Sequence, residues 1–154
     1  MSHKDENSLI RMTQCIHASE WEAAKRLRNT YFFDPLGIDD PYAWTFYQPE
    51  HVHFVLYRGK DVSGYAHIQL WPGNRAALRI IAIDEKYRQH GLGSQFLRLC
   101  EEWLKQQGVH SLHDEARPNV VEFYRKNGYS EMPFNDPSGE PPSVYDIAMG
   151  KTLT

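Results

Sequence analysis

The sequence has only two cysteines, Cys15 and Cys100, with no Cys-x-x-Cys pair and no Cys/His spacing suited to a metal. That suits a reducing cytosol better than a disulfide-stapled secreted scaffold, and no cysteine zinc site is expected. Long apolar runs are missing too. Stretches such as Ile80–Ile83 fall far short of the ~20 residues that span a bilayer. The opening Met-Ser-His-Lys-Asp-Glu-Asn is polar and offers no signal-peptide core. An excess of positive charge is also absent: 17 Lys and Arg stand against 20 Asp and Glu, a net charge of −3. Non-specific nucleic-acid binding runs on phosphate neutralisation, so that partner is not expected. Together these absences predict a soluble, cytoplasmic protein with no membrane partner.

What is present suits one domain over residues 1–154, long enough to bury a core without a metal or disulfide. Apolar residues make up 41%, with nine Tyr, seven Phe and four Trp among them, which excludes a disordered chain. Leu9–His17 reads as a first strand. Ser19 and Glu22 then form a capping box, and Trp21, Ala24, Leu27 and Tyr31 make one stripe of a helix. From Phe32 to Glu50 the chain is rich in Pro and aromatics, a loop with one short helix. His51–Arg58, Val62–Trp71 and Arg75–Asp84 are joined by tight turns and must form an antiparallel meander. Gly91–Gly108 is a second amphipathic helix and Val109–Glu115 a short strand. The crossing between Arg75–Asp84 and that strand should be parallel and right-handed. A third helix runs from Pro118-Asn119 to Asn127-Gly128, and strands near Tyr129–Phe134 and Val144–Leu153 close the chain. This order predicts an α+β fold with a mixed, mostly antiparallel sheet flanked by helices.

The segment Tyr87-Arg88-Gln89-His90-Gly91-Leu92-Gly93-Ser94 follows a strand and opens a helix. Two glycines allow a tight bend and close approach, and the helix mouth presents unpaired N–H groups with a partial positive charge. A phosphate or pyrophosphate is the expected guest. A P-loop would need Lys after Gly93, and a dinucleotide fingerprint would need Gly at Phe96; neither is met. Ser94 is no nucleophile elbow, since Phe96 breaks Gly-x-Ser-x-Gly. The pattern that Arg88, Gly91 and Gly93 do satisfy is Arg/Gln-x-x-Gly-x-Gly/Ala.

With that motif, the strand Leu78–Asp84 before it, and the later Arg117-Pro118-Asn119, Phe123-Tyr124 and Lys126-Asn127-Gly128-Tyr129, the sequence resembles the GNAT superfamily of acyl-CoA-dependent N-acetyltransferases. The resemblance covers about Arg75–Tyr129. It implies a central strand pair that splays apart to admit the pantetheine arm of acetyl-CoA, the co-substrate, against the backbone of Ile81, Ala82 and Ile83. Gln89, His90, Gly91, Leu92, Gly93 and Ser94 would wrap the pyrophosphate, with Arg88 at the entrance. Asn119 would bond the pantetheine arm, an N-cap being its plain alternative. Tyr124 would stand near the thioester sulfur and protonate the leaving thiolate, its ordinary pKa being ~10.

The resemblance further implies N-acetylation of a primary amine, on a small molecule or a peptide amino group, by direct attack in a ternary complex. The amine must lose a proton, and Ala77 occupies the place where some relatives carry a Glu base. Candidate bases are therefore His67, Asp114, Glu115 and His53, or a water relay. The catalytic set expected is Tyr124 with Glu115 and His67. Phe32, Phe33, Trp44 and Tyr47 would wall the acceptor site, and Asp34, Asp39, Asp40 and Glu50 would favour a cationic acceptor. His51 and His53 share one strand face but lack a third ligand, so no metal is expected. A catalytically silent CoA-binding sensor and a binder of some other phosphate ligand remain the rivals. The terminal strands offer a route to a homodimer.

Overall fold

The computed structural model describes residues 9–88 and 90–154. Strand β1 (Ile10–Gln14) pairs antiparallel with β2 (His51–Arg58). Strands β2, β3 (Asp61–Trp71) and β4 (Arg75–Ile83) form the meander that their short turns predict. Between β1 and β2 lies helix α1 (Ala18–Arg28). Helix α2 (Leu92–Gln106) carries the chain over to β5 (Ser111–Ala116), which runs parallel to β4. After helix α3 (Val121–Lys126) come the two-residue β6 (Ser130–Glu131) and β7 (Ile147–Thr152). The seven-stranded sheet has the order β1-β2-β3-β4-β5-β7-β6, with β7 inserted between β5 and β6. The fold is the expected α+β class with a mostly antiparallel sheet.

Alternation along the strands sends Phe54, Leu56, Ala66, Ile68 and Leu78 to the face covered by α2 and α3. Helix α2 answers with Phe96, Leu97, Cys100 and Leu104, all within 1% of complete burial. Each such side chain contributes about 1.5–3 kcal/mol by leaving water. Helix α1 covers the opposite face, where Ala24 and Leu27 meet Val55, Tyr65 and Ile80. Among the described residues no helix is long and apolar enough to cross a membrane.

Two local expectations are corrected. The first helix is capped by His17 rather than Ser19, and Glu20, not Glu22, closes its N-terminus. The Glu20 Oε1 accepts the Ile16 and His17 N–H groups at 2.9 and 3.0 Å. Glu20 can turn inward because Tyr57 Oη donates to its other oxygen at 2.6 Å, a partner on β2 that the local sequence does not reveal. The aromatic segment is also more ordered than a loop with one helix. A π-helical turn (Asn29–Phe33) and two 3₁₀ turns (Asp34–Leu36 and Ala43–Tyr47) fold it over the sheet.

The central feature is a gap. Strands β4 and β5 pair only where Arg75–Ala77 face Ser111–His113. Just beyond, the register of β3 against β4 slips between His67 and Ile68, leaving Arg79 as an extra residue in β4. Such a bulge bends its strand, and from there β4 and β5 diverge.

Candidate active site

Ile81, Ala82 and Ile83 pair with Ala66, Tyr65 and Gly64 on one side, while their β5 side carries no strand among the described residues. That open edge leads straight to the bend before α2. Gly91 is its N-cap at φ +71°, a left-handed conformation that glycine adopts without strain. The N–H groups of Leu92, Gly93 and Ser94 head the helix and have no backbone partner outside it among the described residues. His90 and Gly91 are exposed, whereas the Leu92 side chain is buried, so Leu92 can serve a ligand only through its backbone. Gln89 lies outside the described residues.

Neighbouring groups hold this mouth in shape. A Cβ on Gly93 would meet Phe123 Cε1 at 3.2 Å, so α3 packs directly against the first turn of α2. Asn127 Nδ2 donates to Ser94 Oγ at 3.1 Å and to the Phe123 carbonyl at 2.8 Å. Arg88 donates from Nε to the Ile83 carbonyl at 2.9 Å and lies over the Tyr31 ring at 4.5 Å. Tyr31 in turn donates to Asp84 at 3.2 Å. An open strand edge running into an amide-lined helix mouth is a shape that the pantetheine arm and diphosphate of coenzyme A would fit.

Tyr124 projects from α3 into the core on that side, edge-on to Phe123 and Tyr129. Burial pushes its phenol pKa well above the ordinary value, and Asp114 adds to the rise. It is thus a weaker acid than the unperturbed phenol expected from sequence. Asn119 is exposed in a 3₁₀ turn (Pro118–Val120) and caps nothing: Arg117 and Val120 occupy the two N-cap positions.

The other sheet face holds a polar cluster that sequence reasoning did not assemble. Arg28 is fully buried, and its Nε and Nη2 donate to the two carboxylate oxygens of Asp40 at 2.7 and 2.9 Å. Its Nη1 donates to Tyr65 Oη at 3.0 Å and reaches His67 Nδ1 at 3.2 Å. A guanidinium only donates, so His67 Nδ1 accepts and the ring proton sits on Nε2. From there it is donated to His51 Nδ1 at 2.8 Å. His53 donates from Nε2 to the Thr45 carbonyl at 3.1 Å and accepts the Tyr65 hydroxyl on Nδ1 at 2.7 Å. The His67 and His51 rings are therefore neutral, each accepting on Nδ1. Burial, seconded by Arg28, lowers the His53 pKa to about 4. Burial and the neighbouring His53 and Arg28 drive His67 lower still.

Two expectations fail here. His67 is no free base, because both nitrogens are committed and Arg28 opposes a second charge. His53 is withdrawn from that role for the same reasons. Asp40 is not free acidity either: burial would raise its pKa, but the Arg28 hydrogen bonds and charge hold it below the usual range. Glu115 shares this face of the sheet, half-buried, with Oε2 accepting the Ser143 N–H at 2.9 Å. Asp114, the preceding residue on β5, points to the opposite face and is 2% exposed. Ala77 is fully buried against Trp71 and Phe134, which fill the space an acid would need.

Of the aromatic wall, Phe33 is corrected to a core residue, buried beneath Arg28 and Tyr42. Phe32 is half-buried with Arg117 over its ring at 5.8 Å. Trp44 is 55% exposed and stands edge-on to His51, and Tyr47 is exposed. Arg28 and Tyr65 were missed although a signal existed. Arg28 lies four residues after Ala24 and seven after Trp21, on the buried stripe of its helix.

The model of the acetyltransferase (GNAT) family matches residues 21–129. No curated protein sequence matches significantly. Among solved structures, the chain is similar to a protein of Lactobacillus plantarum assigned to the N-acetyltransferases, at 22% identity and a TM-score of 0.77, over 96% of this chain and 100% of that one. It is also similar to the ribosomal-protein-S18-alanine N-acetyltransferase of Escherichia coli, at 18% identity and 0.72, over 95% of each chain. A third is the PaiA N-acetyltransferase of Thermoplasma acidophilum in complex with coenzyme A, at 15% and 0.68, over 94% of this chain and 99% of that one.

Proposed function

The chain belongs to the acetyltransferase (GNAT) family, a family of acyl transfer, and from that premise we propose that it moves an acetyl group from acetyl-CoA to a primary amine. The observation that carries this reading is the open edge of β4 running into the amide-lined mouth of α2. Ile81–Ile83 would hold the pantetheine arm by their backbone. Gly91, Leu92, Gly93 and Ser94 would bind the diphosphate, with His90, Gln89 and Arg88 around them and Asn119 at the arm. A backbone N–H near Ile81 would polarise the thioester carbonyl.

The amine would arrive from the face bearing Trp44, Tyr47 and Phe32 and attack directly in a ternary complex. With the histidines committed, Glu115 or a water takes its proton. Tyr124 returns a proton to the departing sulfur. One structural neighbour acts, by its name, on an alanine of a ribosomal protein, which supports an exposed peptide amino group beside small amines as acceptor. The setting is the cytoplasm, without metal, nucleic acid or membrane.

Acetyl-CoA at 100 times its Kd should stabilise the fold by about 2.7 kcal/mol, read as a rise in melting temperature. Thiol should then be released when an amine library is added. No stabilisation would end the reading. Stabilisation without thiol release would favour a coenzyme-binding sensor, for which the apolar packing at Ala77 is the specific support.

A further inference from the structure

Asp114 is the first β5 residue beyond the last rung shared with β4, which joins Ala77 to His113. Its neighbours at alternate positions, Leu112 and Ala116, belong to the core under α2 and α3, so its carboxyl enters that core too. It is 2% exposed, and neither carboxyl oxygen has a hydrogen-bond partner among the described residues. Burying an unpaired carboxylate is so unfavourable that the group keeps its proton instead.

Among the described residues no cation pairs with this carboxyl. Tyr124 comes from α3, Tyr129 from the turn after it and Cys100 from α2, and Asp114 acts electrostatically on both phenols. Strand β7 contributes Met149, directly opposite Asp114 in register. Glu101 of α2 is tied to Tyr129 Oη at 2.7 Å and to Lys151 Nζ at 2.9 Å, so that lysine is already engaged. Glu115 adds a like charge beside Asp114. Burial first, then Glu115, puts the Asp114 pKa up to about 7.

This acid and the Tyr124 phenol enter the same core, on the sheet face covered by α2 and α3. The departing thiolate takes a proton from Tyr124, yet burial makes that phenol reluctant to remain as phenolate. Its proton moves readily only if another follows at once.

We propose that Asp114 is the proton reserve of the acyl transfer, a buried carboxylic acid that refills Tyr124 as Tyr124 protonates the leaving sulfur. The proposal rests on the acyl-CoA reading of the site. In the step, the C–N bond forms, the C–S bond breaks and sulfur leaves with the electron pair. The Tyr124 Oη proton goes to sulfur, and the Asp114 proton passes on to Tyr124. The carboxylate then regains from solvent the proton that the amine surrendered. Asp114 acts through Tyr124 and does not touch the substrate.

The test compares wild type with Asp114→Asn. Carbon-13 NMR of labelled aspartate should show a carboxyl titrating near pH 7 that the variant lacks. The variant's melting temperature should exceed the wild type's by a margin that widens from about pH 4 to about pH 7 and is constant above, because over that range the unfolded aspartate ionises while the folded one keeps its proton. Its kcat should fall roughly tenfold to a hundredfold while stabilisation by acetyl-CoA is unchanged. The decline of wild-type kcat above about pH 7 should vanish with the acid.

A carboxyl titrating near the ordinary aspartate value of about 4, or wild-type kcat and pH profile in the variant, would overturn the proposal. A loss of coenzyme affinity with kcat intact would also overturn it, making the carboxyl a ligand of the pantetheine arm. Failure of wild type to bind acetyl-CoA would overturn the reading of the site as well. An active wild type beside an unchanged variant would remove Asp114 alone.

Discussion

Tyr124 and His67 show how burial sends two titratable groups to opposite fates. Both are buried and both have pKa values moved toward the neutral form. His67 is held neutral with its two nitrogens bonded, so it can pass no proton without breaking the Arg28–His67–His51 chain. Tyr124 carries its phenol on the side of the sheet where β4 and β5 part, with its proton uncommitted to any such chain. Tyr124→Phe is therefore expected to lower kcat by about 10²-fold, the scale of a lost general acid, with coenzyme affinity unchanged. Steady-state thiol release and calorimetry on the same preparation would check this, and equal turnover in the Phe variant would remove Tyr124 from the reaction.

Among elements, the bulge in β4 and the bend before α2 shape the open edge between β4 and β5. The inserted Arg79 ends the pairing with β5 and is itself clamped, donating to Gln69 at 2.6 Å and to Asp136 at 3.2 Å. At the bend, a Cβ on Gly91 would project into open space, so only the backbone conformation opposes substitution. Gly91→Val should cost about 1–2 kcal/mol for a left-handed residue. The loop would relax toward negative φ, and the acetyl-CoA-induced rise in melting temperature should disappear while the circular dichroism of the unliganded fold stays the same. A full ligand-induced rise in that variant would mean the diphosphate sits elsewhere. The bend and the helix behind it were legible from residues 88–94 because a glycine turn at a helix start is set by neighbouring residues. The bulge was not, since no residue between Arg75 and Ile83 marks where β3 will slip.

Across the whole molecule, the histidine cluster couples stability to pH. His53 titrates near 6.5 when unfolded and near 4 when folded, so the unfolded chain binds more protons between those values. Its contribution is complete above about pH 6.5 and is lost as pH falls toward 4, at about 1.4 kcal/mol per pH unit. His67 acts in the same direction. Asp114 opposes them, because its raised pKa makes the fold bind the extra proton between 3.8 and about 7. His51 and His113, also lowered by burial, add to the same side, so the histidines outweigh Asp114: urea unfolding should show stability falling from about pH 6.5 to about pH 4.5. Constant stability across that range would mean the histidines are not held neutral.

The order of strands and helices, the antiparallel meander, the parallel crossover and the glycine bend that opens α2 follow from the sequence alone, since each depends on periodicity or on residues within one turn of one another. The proton positions of His51, His53 and His67, the pairing of Asp40 with Arg28, the apolar plug at Ala77 and the state of Asp114 do not. Those were decided by tertiary structure: ionisation depends on which distant groups come within hydrogen-bond reach and how much water they exclude. Arg28 and His67 are 39 positions apart along the chain and 3.2 Å apart in the fold.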